Sequence, residues 1–275
     1  MRHMFTGENL GLCTTRSIEI GRGWEHVLCT RNLIQHHTVS LKEVNYLFPL
    51  YLYPKDADEI DDLEELVMRE EADRYGNGRR ANLAPGFTAE LAKRVKLTYI
   101  GDGTGDLKKT VGPEDIFHYI YAVFHSPAYR DRYAAFLKID FPRVPLTSKR
   151  ALFVKLCGLG RRLTALHLLD GVADGGVTFP VEGDNAVKAP RYVDMQQRVY
   201  INDAQYFEGI PPEVWEFHIG GYQVCHKWLK DRRKRSLSYD DIAHYLRIVS
   251  ALGESIGLMG EIDVSIDAHG GWPIV

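Results

Sequence analysis

Basic side chains are concentrated between Lys227 and Arg235 (KWLKDRRKR), where six of the nine residues are bases and one is an acid. Lysine and arginine neutralise phosphates and release counterions, and together with glutamine and asparagine they also read base edges. Aromatic residues lie among these bases, with Tyr222 just before the segment and Trp228 inside it. This combination suits nucleic acid. A solvated basic face has the same composition, so the run alone leaves both interpretations open.

A second segment of bases and aromatics, YRDRY, extends from Tyr129 to Tyr133. Its two tyrosines are four residues apart, which places them on one face of a helix. Packing against the protein interior is therefore the better interpretation for both tyrosines. The same interpretation applies to Trp215 and Phe217.

The motifs of the chain indicate no reaction centre. GDGTGD, at residues 101–106, lacks the Lys-Ser/Thr ending of a P-loop and the spacing of a dinucleotide fingerprint, so we interpret it as a turn. The sequence contains no HExxH or CxxC pattern. The PPEVW segment has Ile210 and Glu213 where an Asn-Pro-Pro-aromatic loop would have an amide and an aromatic ring. The sequence therefore predicts no catalytic residue, no metal site and no cofactor site.

The composition is that of a folded protein, with 45% hydrophobic and 26% charged residues among 275. At roughly 150 residues per domain, this length suits one large domain or two modest ones. The apolar runs are far shorter than the roughly 20 residues needed to cross a membrane, and the N-terminus has no apolar signal core. The four cysteines are widely separated, which favours a reducing compartment. We therefore expect a cytoplasmic protein with no membrane partner.

Charge is distributed unevenly along the chain. Residues 55–74 contain ten acids and three bases, a local charge of minus seven, whereas the whole chain carries minus three. The rest of the chain therefore sums to plus four. This asymmetry suggests a polyanion partner at one end and a solvated face at the other. Apolar residues at three-and-four spacing predict that Ala57 to Tyr75 is a helix with one apolar stripe.

The elements that would position these groups differ between the two halves of the chain. Short strands are predicted from Leu10 to Tyr53, between Gly, Asn and Pro breaks. A short helix is predicted at Thr88–Val95, between turn-rich regions at 76–86 and 101–112, and the second of these suits a domain boundary. The alternation in residues 191–202 predicts further strands.

Helices dominate the predictions for the second half. The helix that begins near residue 113 should end at Ser126, whose hydroxyl can cap a second helix with Pro127 at its first position. A further helix fits Lys149 to Leu169, although Gly158 and Gly160 weaken its middle. The last helix should begin after a cap at residue 238 and continue to about residue 262, with three glycines that lower its local stability.

Two long segments resemble the C-terminal specificity region of Type ISP restriction-modification enzymes and related adenine-specific DNA methyltransferases. They are Tyr121–Thr147 (YAVFHSPAYRDRYAAFLKIDFPRVPLT) and Tyr206–Tyr245 (YFEGIPPEVWEFHIGGYQVCHKWLKDRRKRSLSYDDIAHY). The opening, RHMFTGENLGLCTTR followed by NYLFPLYLYP, resembles the passage from the methyltransferase core into the target recognition domain. The resemblance spans nearly the whole chain, and the order of the two long ungapped segments makes it specific.

This resemblance implies an α+β fold. Residues 1–110 would be the end of a methyltransferase core and a connecting segment, with a β-rich remnant of its sheet, and residues 111–275 would be a helix-rich target recognition domain. The implied function is sequence-specific binding of double-stranded DNA. Catalytic loops, S-adenosylmethionine binding, nuclease and ATPase motor lie upstream in such enzymes, so no cofactor is expected in this chain. The polypeptide would be a truncated product or an excised domain, with a separately encoded methyltransferase core as a partner.

The resemblance also gives roles to residues. Tyr129, Arg130, Pro142 and Arg143 match positions of the helical scaffold, whereas the segment after the Gly220–Gly221 turn is the preferred contact region. Loops near residues 77–80, 108–109 and 174–198 are expected to read sequence, because loops vary without disturbing the scaffold. The candidate DNA-binding residues are Lys227, Lys230, Arg232, Arg233, Lys234, Arg235, Lys108, Lys109, Arg79 and Arg80.

Two other functions stay open at this point. One is an S-adenosylmethionine-dependent methyltransferase with divergent motifs that is active on its own. The other is a protein-interaction subunit whose acidic helix, at residues 58–73, docks a basic partner. Measurable cofactor binding would support the first alternative, and failure to bind any duplex DNA would favour the second.

Overall fold

The computed structural model describes residues 2–19, 23–40, 42–55, 69–70, 78–173 and 175–274. The chain divides into two compact units, one of Met1–Thr164 with Met259–Val275 and one of Ala165–Leu258. Helices and small, mostly antiparallel sheets build both units, so the predicted α+β class is confirmed. The domain boundary predicted at residues 110 and 111 falls inside the first unit and stays a prediction. Most of the predicted acidic helix, 57–75, lies outside the described residues.

The first unit begins with the predicted strands, which form a three-stranded antiparallel sheet in the order β2-β1-β3. The central strand contributes the buried side chains of Cys13, Thr14 and Thr15. The elements of this unit are β1 (Gly11–Thr15), β2 (Val27–Thr30), β3 (Asn45–Pro49), β4 (Tyr51–Leu52), β5 (Arg80–Ala81), α1 (Pro85–Val95), β6 (Thr98–Tyr99), β7 (Thr110–Val111), α2 (Pro113–His125), α3 (Pro127–Arg132), α4 (Ala134–Leu137) and most of α5 (Arg150–His167).

The junction between α2 and α3 follows from local sequence. Helix α2 ends at His125, and Ser126 Oγ accepts a hydrogen bond from the Tyr129 N–H at 3.0 Å. Pro127 occupies the first position of α3, where its missing N–H costs nothing. The Ser126 hydroxyl also donates to the Asp263 carboxylate, which accepts from the Ala128 N–H at 2.9 Å. The predicted capping is confirmed, and a carboxylate distant in sequence reinforces it.

Helix α5 approaches α2 closely at one glycine. A Cβ atom on Gly160 would lie 1.8 Å from the carbonyl oxygen of His118, whereas a Cβ on Gly158 would meet nothing within 4 Å. Both glycines were expected to weaken the helix, yet α5 is continuous from Arg150 to His167. Gly160 is therefore required by the packing of the two helix backbones, and Gly158 is not.

The GDGTGD segment is a turn, as predicted, and one of its amides, together with that of Gly112, binds a carboxylate of the protein itself. Asp115, fully buried on α2, accepts from the N–H groups of Gly105 at 2.6 Å and Gly112 at 2.9 Å. Arg161 of α5 forms an ion pair with the same carboxylate, with 3.1 Å between Nη2 and Oδ1. The carboxylate thus joins the turn to two helices, and these amides are already bonded within the fold.

The second unit has a three-stranded antiparallel sheet in the order β10-β9-β8. Its inner face, formed by Tyr192, Val199 and Phe207, packs into the apolar core of the unit with Trp215 and Tyr245. The burial predicted for Trp215 is confirmed. The elements are β8 (Arg191–Val193), β9 (Arg198–Tyr200), β10 (Tyr206–Glu208), α6 (Pro212–Trp215), β11 (His218–Ile219), β12 (Tyr222–Gln223), α7 (Val224–Lys230) and the first part of α8 (Tyr239–Asp267).

Helix α8 is longer than its sequence predicts. Its start is as expected, since the Asp241 N–H donates to Ser238 Oγ at 3.1 Å. The predicted end near Ile262 is wrong, because the helix continues to Asp267. A Cβ on Gly257 or Gly260 would meet no atom within 4 Å. These glycines therefore face open space, and continuous packing on the other side of α8 outweighs their low helix propensity.

The four cysteines, Cys13, Cys29, Cys157 and Cys225, are free thiols in the protein interior. Burial raises the pKa of Cys13 and of Cys225 to about 12 and raises the pKa of Cys157 as well. In the described part of the chain, no cluster of His, Cys, Asp and Glu could hold a metal ion. None of the helices built from these residues is long and apolar enough to span a membrane.

Candidate nucleic-acid interface

The basic segment predicted from the sequence lies in the second unit, and we call its six cationic residues the basic surface. It consists of the end of α7 and the turn that follows. One side of α7 packs against the core through Val224, Cys225 and Leu229. Its lysines therefore lie on the outer side. The residues of the basic surface are Lys227, Lys230, Arg232, Arg233, Lys234 and Arg235.

Two residues of the basic surface form ion pairs and ring contacts with other side chains of the protein. The Lys227 ammonium group forms an ion pair with Asp231 and lies 5.4 Å from the ring centre of Tyr222. The Arg232 guanidinium lies 3.6 Å from the ring centre of Trp228, and its Nε is 3.3 Å from Asp241 Oδ1. Arg232 is thus partly buried and holds α7 against the start of α8, which is a structural role that the sequence did not reveal.

The other four residues, Lys230, Arg233, Lys234 and Arg235, are exposed. Backbone hydrogen bonds fix the turn that carries them, from the Lys234 N–H to the Val187 carbonyl at 2.8 Å and from the Val187 N–H to the Arg235 carbonyl at 2.9 Å. Lys234 has a left-handed backbone, with φ of 65°. Within the described ranges, none of the four side chains has a carboxylate partner. The backbone is therefore ordered while the charges stay accessible.

Nearby positive charges contribute to a lowered pKa of two histidines at the basic surface, His226 and His244. Partial burial lowers the pKa of His226, and the charges of Lys230 and Arg233 lower it further. Burial likewise lowers the pKa of His244, and the charges of Arg247 and Arg232 add to that shift. Both imidazoles are therefore neutral at pH 7. The positive potential of the basic surface thus comes from its lysines and arginines.

The predicted candidates Lys108 and Lys109 lie in the first unit. Both are exposed in the turn between β6 and β7. Their backbone N–H groups donate to Asp106 Oδ1 at 2.9 and 2.7 Å, and these bonds hold the pKa of Asp106 well below its usual range. The carboxylate organises the turn and leaves both ammonium groups in solvent. DNA binding by these lysines stays a prediction.

The predicted candidates Arg79 and Arg80 lie against the fold. The Arg79 guanidinium lies 3.7 Å from the ring centre of Tyr51, and its Nε is 2.9 Å from Asp102 Oδ1 in an ion pair that is largely shielded from solvent. Arg80 belongs to β5 and is half-buried. A DNA contact by Arg79 also stays a prediction, and it would require the guanidinium to leave Asp102.

Sequence reasoning missed a second cationic and aromatic surface, the outer face of the β10-β9-β8 sheet. Arg191, Tyr200 and Tyr206 are directly opposite one another across the three strands. The Arg191 guanidinium lies 4.6 Å from the ring centre of Tyr200, and that of Arg198 lies 4.2 Å from the ring centre of Tyr206. The alternating pattern of RYV, RVY and YFE indicates three strands with one outward face. Only the strand register shows that the arginines and tyrosines of that face are neighbours.

The chain is similar to a known protein family and to solved structures. A family model described as the Type ISP C-terminal specificity domain matches residues 1–261. No curated protein matches the chain. Among solved structures, a nuclease-deletion mutant of the Type ISP restriction-modification enzyme LlaGI in complex with a DNA substrate mimic is 18% identical, with a TM-score of 0.59, over 94% of this chain and 21% of that chain.

Two further solved structures are similar over almost all of this chain. The ATP-dependent Type ISP restriction-modification enzyme LlaBIII bound to DNA is 16% identical, with a TM-score of 0.62, over 94% of this chain and 16% of that one. The DrdV–DNA complex is 21% identical, with a TM-score of 0.59, over 93% and 25%. This chain spans a quarter or less of each, and the likeness shows a shared fold. With the family match, it follows that the chain belongs to the family of Type ISP C-terminal specificity domains.

Proposed function

We propose that this domain binds double-stranded DNA and selects the sequence on which a restriction-modification enzyme acts. The observation that carries the proposal is the family match over residues 1–261. The solved relatives are described as complexes with DNA or a DNA substrate mimic. The basic surface of the second unit supports the same function, because its exposed cations suit a phosphate backbone.

The strength of the electrostatic contribution follows from the number of accessible charges. Lys230, Arg233, Lys234 and Arg235 are exposed, and each phosphate that is neutralised changes the slope of log K against log salt by about −0.9. Four contacts give a slope of about −3.6. Raising the salt concentration from about 50 to about 200 mM should therefore weaken binding by roughly 150-fold.

The test is a fluorescence-anisotropy titration of a labelled duplex at several salt concentrations. The double variant Lys230→Ala/Arg233→Ala removes one lysine and one arginine without disturbing Arg232, whose loss would also affect folding. We expect binding to weaken and the salt slope to become less negative by about two. The matched control, Lys93→Ala/Arg132→Ala, makes the same change of charge at exposed helical positions of the first unit.

The two variants separate a specific surface from a general effect of net charge. If the basic surface binds phosphates, the control keeps the slope of the wild type. Equal losses in both variants would remove the basic surface from the proposal. Absence of duplex binding by the wild type at low salt would refute DNA binding altogether.

We assign methyl transfer, and with it S-adenosylmethionine, to an adenine-specific methyltransferase core rather than to this domain. The PPEVW segment, the part that most resembles a base-holding loop, supports this assignment: it forms α6, with Val214 and Trp215 buried in the core. Trp215 stacks on Tyr192 at 5.2 Å between ring centres. The segment is thus occupied with packing. Transfer of labelled methyl groups to DNA by the purified chain alone would overturn this assignment.

A further inference from the structure

We infer that the tip of the β8–β9 hairpin, residues 194–197, reads base edges in the major groove, with Met195 contacting a thymine methyl group and Gln196 donating to a base acceptor. This inference rests on the proposed function and deepens it. The major groove admits a two-stranded β-ribbon, and a hairpin tip is the part of such a ribbon that reaches deepest.

The exposure of the tip is the first observation. Met195 is 97% exposed, the highest value among the large hydrophobic side chains of the described residues. Asp194, Gln196 and Gln197 are exposed beside it. A lone exposed apolar residue is ordinary, but here it lies at the end of a hairpin and is followed by two amide side chains. Apolar contact with a thymine methyl group and amide hydrogen bonds to purines are both established modes of base recognition.

The tip is held rigidly, which base recognition requires. The N–H groups of Gly209 and Ile210 both donate to the Gln197 carbonyl at 3.0 Å, and the Gln197 N–H donates to the Asp194 carbonyl at 2.9 Å. Gln197 has a left-handed backbone, with φ of 50°. Behind the tip, the Tyr192 hydroxyl donates to the Ile210 carbonyl at 2.9 Å. The tip is therefore fixed to the core although its side chains are in solvent.

The orientation of Gln196 is also fixed. The Tyr200 hydroxyl donates to Gln196 Oε1 at 3.0 Å. This bond directs the amide NH₂ group outward, and no acceptor for that group is present among the described residues. Purine N7 and thymine O4 are acceptors on the major-groove edge. Gln196 can thus donate to a base while its oxygen stays bonded to Tyr200.

Charge distinguishes base contact from phosphate contact along the hairpin. Residues 192–197 contain no lysine or arginine and one carboxylate, Asp194, so phosphates repel the tip. The cations lie further from the tip, where Arg191 is exposed and stacked on Tyr200. Arg191 has no carboxylate partner within the described ranges. A tip without cations, with a cation near its base, matches a groove whose floor carries bases and whose rims carry phosphates.

The experiment selects bound duplexes from a library with a random central region, using the wild type, Met195→Ala, Gln196→Ala and Lys230→Ala/Arg233→Ala. We expect the wild type to enrich a motif. Each tip variant should lose the preference at one or two positions, by about 5- to 150-fold, and keep its affinity for an unrelated duplex. Lys230→Ala/Arg233→Ala should keep the motif and bind every duplex more weakly.

Thymine replacement then tests the methyl contact. The wild-type motif is prepared with uracil in place of thymine at the position that Met195→Ala affects. Loss of one methyl group should weaken wild-type binding by about 4-fold and leave Met195→Ala unchanged. Ile139→Ala is the control for removal of an exposed apolar side chain, since Ile139 is 72% exposed in the first unit, and it should behave as the wild type.

The outcomes separate the inference from the function on which it rests. No duplex binding by the wild type would refute the proposed function and the inference together. An enriched motif that both tip variants retain would refute only the inference. Binding without any enriched motif would refute both the inference and the sequence selection in the proposed function, since the domain would then read no sequence. Equal sensitivity of the wild type and Met195→Ala to uracil would remove the methyl contact.

Discussion

The two glycines of α5 give a sharp test of the packing between α2 and α5. A Cβ on Gly160 would lie 1.8 Å from the His118 carbonyl oxygen and 3.2 Å from the Ala122 nitrogen. Ordinary contact begins near 3.4 Å, so Gly160→Ala must move the helix backbones apart by more than 1 Å. No rotamer change can relieve a clash with backbone atoms. Gly158, two residues earlier and exposed, has open space around the same position.

The magnitudes follow from this geometry. Alanine gains about 1 kcal/mol over glycine in a helix, and Gly158→Ala should show that gain in full. At Gly160 the same gain is opposed by an overpacking cost of about 3 kcal/mol, because separation also disturbs the Tyr119–Phe153 ring pair, whose centres are 5.0 Å apart. We therefore expect Gly160→Ala to lose about 2 kcal/mol and the two variants to differ by about 3 kcal/mol.

Thermal unfolding followed by circular dichroism measures this difference. For a protein of this size, about 3 kcal/mol corresponds to melting temperatures that differ by roughly 6–12 °C, with Gly158→Ala above the wild type and Gly160→Ala below it. Equal melting temperatures for the two variants would show that the helices can separate without cost. The close approach would then not be the reason for glycine at position 160.

Two further predictions concern stability. Arg232→Ala should lower the free energy of unfolding by about 1–2 kcal/mol, because the Trp228 ring contact and the Asp241 ion pair are lost. Arg233→Ala, at an exposed position, should change the free energy of unfolding by less than about 0.5 kcal/mol. Urea titration of both variants measures this difference, and equal effects would contradict the prediction. Burial, with a smaller effect of Arg161, lowers the pKa of His118 to about 4, so the unfolded chain binds the proton more tightly. Stability should therefore be independent of this group above pH 6.5 and fall as the pH drops toward 4, by about 2 kcal/mol between pH 7.5 and 5. A wild type and a His118→Gln variant with the same dependence on pH would refute this assignment.

Features that depend on neighbouring residues were predictable from the sequence. The Ser126–Pro127 junction and the Ser238 cap are local signals, because a hydroxyl three residues before an amide can satisfy it in almost any context. The α+β class was implied by the family resemblance, and the locally predicted strands and helices agreed with it. The predicted end of α8 was wrong because a glycine costs a helix only about 1 kcal/mol. A helix that is packed along its length therefore continues through glycine.

Features that depend on distant contacts were not predictable. Gly158 and Gly160 look alike in the sequence, and only the approach of α2 distinguishes them. The basic segment was found, but its division into engaged and accessible cations depends on Trp228 and Asp241. The register of the β10-β9-β8 sheet was also not predictable, because no local pattern indicates that Arg191 and Tyr206 lie on either side of Tyr200.

The burial of all four thiols makes the native chain a convenient background for site-directed labelling. A maleimide dye reacts with an accessible thiolate, and all four native cysteines are buried. A single cysteine introduced at an exposed position, such as the hairpin tip, would therefore be modified selectively without first replacing the natural ones. Attaching a fluorophore or a spin probe there would let the distance between the hairpin and a bound duplex be measured directly in solution.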